Sequence, residues 1–230
     1  MGIRENLKKI YEDIHTSALK AGRHPGDVKL LAVSKFHPAE AIVEASDAGQ
    51  FLFGENRVQE AVAKFTGILS ENSSVSLHLI GTLQRNKVKQ ILPLVSCIQS
   101  VDRIHLLEEI SKQAVLLKKN VNILFEFHTG ETSKSGYLDK EELFRSIDSL
   151  ERFPNITCKG LMTIAPYTND VSAVARAFRT LASLSRECSG RYPELDFREL
   201  SMGMSSDYHI AIEEGSTMVR IGTAIFGERK

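Results

Sequence analysis

The sequence has no tryptophan, only three cysteines among 230 residues, and no long apolar run. Cys97, Cys158 and Cys188 are odd in number and far apart, which argues against the disulfide framework of a small secreted domain and is typical of reduced thiols. No apolar run is long enough to cross a bilayer, and the N-terminus lacks the core of a signal peptide. We therefore expect a cytoplasmic protein with no membrane contact.

The sequence also lacks an excess of charge of either sign. Lys and Arg together number 29, as do Asp and Glu, and no long basic run occurs. Nucleic-acid binding depends on a basic surface that neutralises phosphates, so we expect no nucleic-acid partner. The seven histidines show no metal-binding spacing, and we expect no metal site. No segment marks an additional interface, which favours a monomer.

What the sequence does have is an alternation of short apolar runs with amphipathic stretches. Eight runs have the character of strands: 29–34, 51–54, 76–80, 97–101, 121–127, 156–162, 197–201 and 217–222. Helical stretches such as 38–49 and 103–119 follow them, and another at 3–21 precedes the first. This pattern predicts a (β/α)8 barrel of the TIM type, with residues 1–230 as one α/β domain and an extra N-terminal helix. A doubly wound open sheet is the alternative.

Barrels of this type place their chemistry just beyond the C-terminal ends of the strands. Lys35 directly follows the first predicted strand. Partial burial among aliphatic side chains disfavours the ammonium form, so a fraction of neutral amine can condense with an aldehyde. The alternative is a rim lysine with its ammonium in water.

Hydroxyl side chains and glycines follow the seventh and eighth strands, where barrels often bind a phosphate. Ser201, Ser205 and Thr223 offer hydroxyl groups, and Gly203 and Gly222 allow an anion to approach backbone N–H groups. Tight turns are the alternative role for each glycine. An amine on one side and a phosphate cradle on the other predict a ligand with an aldehyde and a phosphate, such as pyridoxal 5′-phosphate.

Arg220 lies in the eighth strand, two residues before Gly222 and therefore on the same side of it. A protonated guanidinium would donate a hydrogen bond to a pyridine nitrogen and keep that nitrogen unprotonated. This contact weakens the ring as an electron sink. A surface ion pair with Glu213 or Glu214 is the alternative.

Five stretches resemble one known family. They are LLAVSKFHPAEAI, FGENRVQEA, HLIGTLQRNKVK, SKSG and LSMGMSSDYHIAIEEGSTMVRIGTAIFG, and they run from residue 30 to residue 227. These motifs resemble the pyridoxal phosphate homeostasis protein family, single-domain relatives of the N-terminal barrel of alanine racemase. The resemblance implies that Lys35 forms a Schiff base with pyridoxal 5′-phosphate, that Asn56 lies near the ring and that Arg220 faces its nitrogen. It also implies that the phosphate is surrounded by Ser201, Ser205, Gly222 and Thr223.

The fifth-strand stretch departs from the family pattern. Phe127 and His128 stand in a region where the family usually has an Asn before SGEESKSG. We expect this change to alter the polarity beside the ring, and a hydrogen-bonded structural role for His128. Lys134 in SKSG is a candidate cation of the mouth, with a solvated loop lysine as the alternative.

Three functions are open. The first is a carrier that takes part in intracellular vitamin B6 homeostasis, holding and releasing pyridoxal phosphate through transient contact with enzymes that depend on it. The second is a pyridoxal phosphate enzyme such as a racemase, and the third an aldolase that uses Lys35 alone. Related racemases take a second base, a tyrosine, from another domain, and we expect Tyr137, Tyr167 and Tyr208 to pack instead. The expected function is therefore the carrier, with no catalytic residues.

Overall fold

Eight parallel strands form a closed barrel in chain order in the computed structural model, which describes residues 2–131 and 135–228. The strands are β1 Lys29–Val33, β2 Leu52–Glu55, β3 Ser76–Leu79, β4 Cys97–Val101, β5 Val121–Glu126, β6 Ile156–Met162, β7 Glu199–Ser201 and β8 Met218–Ile221. Strand β1 pairs with both β2 and β8, which closes the sheet. The predicted barrel is confirmed, and the open sheet is excluded.

A helix follows each strand, and one more precedes β1. The helices are α1 Ile3–Lys20, α2 Ala39–Asp47, α3 Val58–Glu71, α4 Val88–Ile91, α5 Ile104–Leu117, α6 Lys140–Asp148, α7 Val171–Arg191, α8 Tyr208–Glu213 and α9 Thr223–Phe226. The longest, α7, begins where the Asp170 side chain accepts hydrogen bonds from two backbone N–H groups of its first turn. None of the helices in the described part of the chain has the length and apolar character needed to cross a membrane.

Alternation along the strands creates an outer core beneath the helices and an inner core within the barrel. In β1, Leu30 and Ala32 join the outer core, whereas Leu31 and Val33 pack with Met218 of β8 inside the barrel. Because the side chains alternate, Val33, the last residue of β1, points into the barrel, and the buried Ser34 follows it. The turn that carries Lys35 therefore begins at the mouth of the barrel.

The three cysteines are free and buried, as predicted. Burial raises the pKa of the Cys158 thiol and of the Cys188 thiol to about 12. Thiols with such raised pKa values are poor nucleophiles at neutral pH, so these side chains serve packing.

Candidate functional site

Lys35, Asn56 and Gly222 follow three adjacent strands, β1, β2 and β8. Val33 of β1 pairs with Gly54 of β2, and each precedes one of these residues by two positions. A Cβ atom added at Gly222 would lie 3.0 Å from the carbonyl oxygen of Val33. The fold therefore brings the three predicted residues to one sector of the barrel mouth.

Different constraints favour glycine at Gly203 and at Gly222, the two glycines of the predicted phosphate cradle. Gly203 has a φ of +96°, a conformation that favours glycine in a tight turn. Gly222 has a φ of −119°, which any residue adopts, and it is the close approach to the Val33 carbonyl that crowds a Cβ atom at this position. Thr223, which directly follows Gly222, is exposed, and so is Ser205 in the loop after β7.

Arg220 is buried inside the barrel, with 4% of its surface exposed. Its Nη1 donates to the carbonyl oxygen of Ser201 at 2.6 Å and to the Ser201 hydroxyl at 2.8 Å. Its Nη2 donates to the carbonyl oxygen of Thr163 at 2.8 Å. The alternative of a surface ion pair is therefore wrong, and Glu214 pairs with Arg179 instead.

The charge on Arg220 is balanced by two carboxylates. Burial lowers the pKa of Arg220 to about 10, and the charges of Asp207 and Glu126 act in the opposite direction. Asp207 accepts a hydrogen bond from the backbone N–H of Met204 at 2.5 Å. Glu126 ends β5, is 4% exposed, and accepts a hydrogen bond from Ser135 at 3.2 Å. Arg220 therefore remains a cation at neutral pH.

Ser201 belongs to a hydrogen-bonded chain that crosses the interior of the barrel. Its hydroxyl donates to Oε1 of Gln99 at 2.6 Å, and Nε2 of Gln99 lies 2.8 Å from Nδ1 of His78. Since the Gln99 amide nitrogen donates, Nδ1 of His78 carries no proton. Burial, together with the charge of Lys29, lowers the pKa of His78 to about 3. Ser201 is fully buried, and its hydroxyl contacts Arg220 within this chain.

Sequence reasoning missed the groups that surround Arg220, namely Thr163, Glu126 and Asp207, and Gln99, which accepts the hydrogen bond from Ser201. A signal was present for two of them. Gln99 and Glu126 are polar residues within predominantly apolar strands, and such residues are rarely buried without a partner.

The strand-five loop also differs from expectation. Phe127 packs into the outer core with 6% of its surface exposed and therefore does not face the mouth. The residue before it, Glu126, points inward, and it is this side chain that determines the polarity of the mouth here. Nδ1 of His128 accepts a hydrogen bond from Gly130 at 3.3 Å. Lys134 lies outside the described residues.

The candidate tyrosines are of two kinds. Tyr137 and Tyr208 are buried, as expected, and the Tyr137 hydroxyl donates to Ser146 at 2.8 Å. The expectation that Tyr167 packs is wrong, since 95% of its surface is exposed.

The donors present fit an aldehyde-bearing phosphate. The side-chain oxygen of Asn56 is buried and has no hydrogen-bond partner within residues 2–131 and 135–228. Leaving such an atom unpaired costs about 1–3 kcal/mol, so it marks a place where a ligand would sit. Rim hydroxyls beside Gly222 suit a phosphate, and Lys35 supplies the amine. No cluster of three or more metal-ligating side chains occurs in the described ranges.

Proteins of similar sequence cover nearly the whole length of this chain. Residues 6–230 match the family described as the alanine racemase N-terminal domain. Relatives called pyridoxal phosphate homeostasis protein include one from Vibrio cholerae, 42% identical over 230 residues, covering 99% of this chain and 96% of that protein. Another, from Aquifex aeolicus, is 40% identical over 232 residues and covers 100% of both.

Solved structures show the same architecture. PipY of Synechococcus elongatus, solved with pyridoxal phosphate bound, is 35% identical with a TM-score of 0.86, covering 98% of this chain and 100% of that one. Alanine racemase from Bacillus anthracis has a TM-score of 0.70 at 18% identity, covering 96% of this chain and 56% of that one, and shares the fold alone. The chain therefore belongs to the family of the alanine racemase N-terminal domain, among the relatives that are called pyridoxal phosphate homeostasis proteins.

Proposed function

We propose that this protein binds pyridoxal 5′-phosphate reversibly at the mouth of the barrel and takes part in intracellular vitamin B6 homeostasis. The observation that carries the proposal is the position of Lys35 beside Asn56 and Gly222, in a sector with one amine, an unpartnered amide oxygen and exposed hydroxyls. The relatives named for pyridoxal phosphate homeostasis support it, as does the pyridoxal phosphate bound to PipY.

Each predicted residue has a role in this proposal. Lys35 condenses with the aldehyde, so that a C=N bond forms and one water leaves, and hydrolysis reverses the step. Thr223 and Ser205 donate hydrogen bonds to the phosphate, and Gly222 allows it to approach the backbone. Asn56 contacts the ring.

Arg220 faces the ring nitrogen in this proposal. Ser201, which the family resemblance places around the phosphate, instead orients the Arg220 guanidinium. The guanidinium donates to the nitrogen and keeps it unprotonated, and the bound cofactor is then a weak electron sink. Ser201 contributes through Arg220 because both its carbonyl and its hydroxyl oxygen accept from Nη1.

The same groups argue for holding the cofactor rather than for catalysis. Burial raises the pKa of Tyr208 to about 12 and also raises that of Tyr137, so neither phenol is a ready base. Racemisation needs a base on each face of the substrate. We expect no sustained interconversion of L- and D-alanine, and turnover above about 1 per second that Lys35→Ala abolishes would favour the racemase instead.

Loading and release test the carrier role. Purified protein mixed with pyridoxal phosphate should develop the absorbance of a lysine-linked aldehyde, and Lys35→Ala should not. The loaded protein should then activate an added pyridoxal phosphate-dependent apoenzyme. A loaded protein that never activates any such acceptor, even after prolonged incubation, would contradict the carrier role.

We further propose that residues 1–230 act as one cytoplasmic monomer that contacts recipient enzymes transiently. The sequence has no segment that marks an additional interface, and its equal numbers of acidic and basic residues are compatible with a monomer. Light scattering of the purified protein, with and without pyridoxal phosphate, measures its mass directly. A stable dimer would refute the monomer without affecting the site.

A further inference from the structure

A buried ionic cluster lies behind the turn that carries Lys35. Lys64 of α3 has 11% of its side chain exposed, and its Nζ lies 2.5 Å from Oε1 of Glu55, which is fully buried at the end of β2. The same Nζ lies 3.6 Å from Oε2 of Glu60, one turn earlier on α3. We call these three residues, Glu55, Glu60 and Lys64, the Lys64 clamp.

The Lys64 ammonium holds the backbone on both sides of Lys35. Its Nζ donates to the carbonyl oxygen of Ser34 at 2.9 Å and to that of His37 at 3.2 Å. These two carbonyls enclose the turn, because Ser34 precedes Lys35 and His37 follows it by two residues. A single side chain of α3 thus fixes the start and the end of the turn.

The two carboxylates hold the residues adjacent to Lys35. Oε2 of Glu60 accepts a hydrogen bond from the backbone N–H of Phe36 at 3.0 Å. Oε1 of Glu55 accepts one from the Ser34 hydroxyl at 2.7 Å. Phe36 has a φ of +66°, a left-handed conformation that a non-glycine residue keeps only where its surroundings enforce it. The hydrogen bond that the Phe36 N–H donates to Glu60 helps to hold Phe36 in this conformation.

Stability alone does not explain a buried cluster of this kind. Apolar residues of similar size are often as stabilising as a buried ion pair, because desolvating the charges opposes their attraction. Burial raises the pKa of Glu55, and its Oε2 is buried without a hydrogen-bond partner among the described residues. The cluster lies on the outer side of β2, since Glu55 follows the outer-core residue Phe53 by two positions. The cluster therefore contacts the Lys35 turn from the side that faces away from the interior of the barrel.

Resting on the proposed function, we propose that the Lys64 clamp is a positioning device for covalent capture of pyridoxal phosphate. The clamp orients the Lys35 turn so that the neutral amine meets the aldehyde carbon. The C=N bond forms, two amine hydrogens leave with the carbonyl oxygen as water, and the same geometry serves hydrolysis. Glu55, Glu60 and Lys64 are positioning residues in this proposal and do not contact the ligand.

Two variants test the clamp. Glu60→Gln weakens the hold on Phe36 at a partly exposed position, and the double variant Glu55→Gln with Lys64→Met removes both buried charges without leaving either unpaired. The rate at which the lysine-linked absorbance appears on mixing with pyridoxal phosphate should fall, by on the order of tenfold to a hundredfold in the double variant. Affinity for pyridoxine 5′-phosphate, which has no aldehyde, should be unchanged.

Matched controls and the two readouts separate the outcomes. Glu71→Gln on α3 and Lys112→Met on α5 make the same chemical changes at exposed positions, and both should capture pyridoxal phosphate at the wild-type rate. Clamp variants that also capture at that rate would refute the clamp and leave the carrier intact. Variants that lose both ligands equally, with a lowered melting temperature, would show a purely structural role and refute it as well. A wild-type protein that binds both ligands alike and never forms the link would overturn the proposed function itself, and the clamp with it.

Discussion

At the scale of single residues, the mouth combines groups that face solvent with groups that are sealed in the barrel. Thr223 is exposed beside Gly222, whereas Arg220 and Ser201 are buried beneath it. Exposed hydroxyls can change partner when an anion arrives, whereas contacts with Gln99 and Thr163 already fix the orientation of the buried pair. We therefore assign affinity for the phosphate to the rim and orientation of the ring to the interior.

Thr223→Val tests the rim. Hydrogen bonds to a charged group contribute roughly 1.5–3 kcal/mol, so the variant should bind pyridoxal phosphate about tenfold more weakly or worse. Thr180→Val, an exposed position on α7, should bind normally. Fluorescence or absorbance titration measures both affinities. Pyridoxal, which lacks the phosphate, should bind the wild type and Thr223→Val with the same affinity. If its affinity also fell in Thr223→Val, the phosphate would not be the group that Thr223 binds.

His78 tests the interior chain through pH. Its folded-state pKa of about 3 lies below the ordinary value of 6.5, so the unfolded chain takes up a proton first as the pH falls. The stability from neutral His78 is present above pH 6.5 and is lost as the pH falls toward 3. Between pH 7 and pH 5 the wild type should lose about 2 kcal/mol of unfolding free energy more than His78→Asn does.

Urea unfolding at the two pH values measures that difference. His105→Asn, at an exposed position of α5, should lose as much as the wild type. If His78→Asn lost as much unfolding free energy between pH 7 and pH 5 as the wild type, His78 would be accessible to protons in the folded state.

At the scale of elements, strands pair closely where a glycine permits it. Gly160 of β6 has a φ of +148°, and a Cβ atom added there would lie 1.9 Å from the carbonyl oxygen of Glu199 in β7. This contact lies where the register brings Gly160 opposite Glu199. The spacing between β6 and β7 therefore depends on the absence of a side chain.

Alanine substitutions at one strand glycine and one helix glycine distinguish the close approach of β6 and β7 from the general effect of replacing glycine by alanine. Gly160→Ala should lower the free energy of unfolding by about 3 kcal/mol or more, because backbone must move. Gly67→Ala, in α3 with open space around it, should raise that free energy by about 0.5–1 kcal/mol. Denaturant midpoints measure both, and equal effects of the same sign would contradict the close approach of β6 and β7.

At the scale of the whole molecule, periodicity predicted the barrel because each strand and helix has its own local signal. Apolar runs such as 121–127 and the amphipathic stretch 103–119 correspond to β5 and α5 within a few residues. The short helices α4, α8 and α9, of four to six residues, carry the weakest of these signals because helical periodicity needs more than one turn to show.

The site was predictable only where residues follow the strand ends. Lys35 and Gly222 could be placed together because parallel strands share a C-terminal edge. The Gln99–Ser201–Arg220 chain and the Lys64 clamp could not, since they join residues distant in sequence whose pairing depends on barrel register and helix rotation.

Borohydride reduction of the loaded protein tests the central claim most directly. Reduction converts the C=N bond to a stable secondary amine, and mass analysis of the digested protein then identifies the lysine that carries the pyridoxyl group. The account predicts labelling at Lys35 and none in Lys35→Ala. Labelling mainly at Lys64, Lys87 or Lys134, or equal labelling of Lys35→Ala, would contradict it.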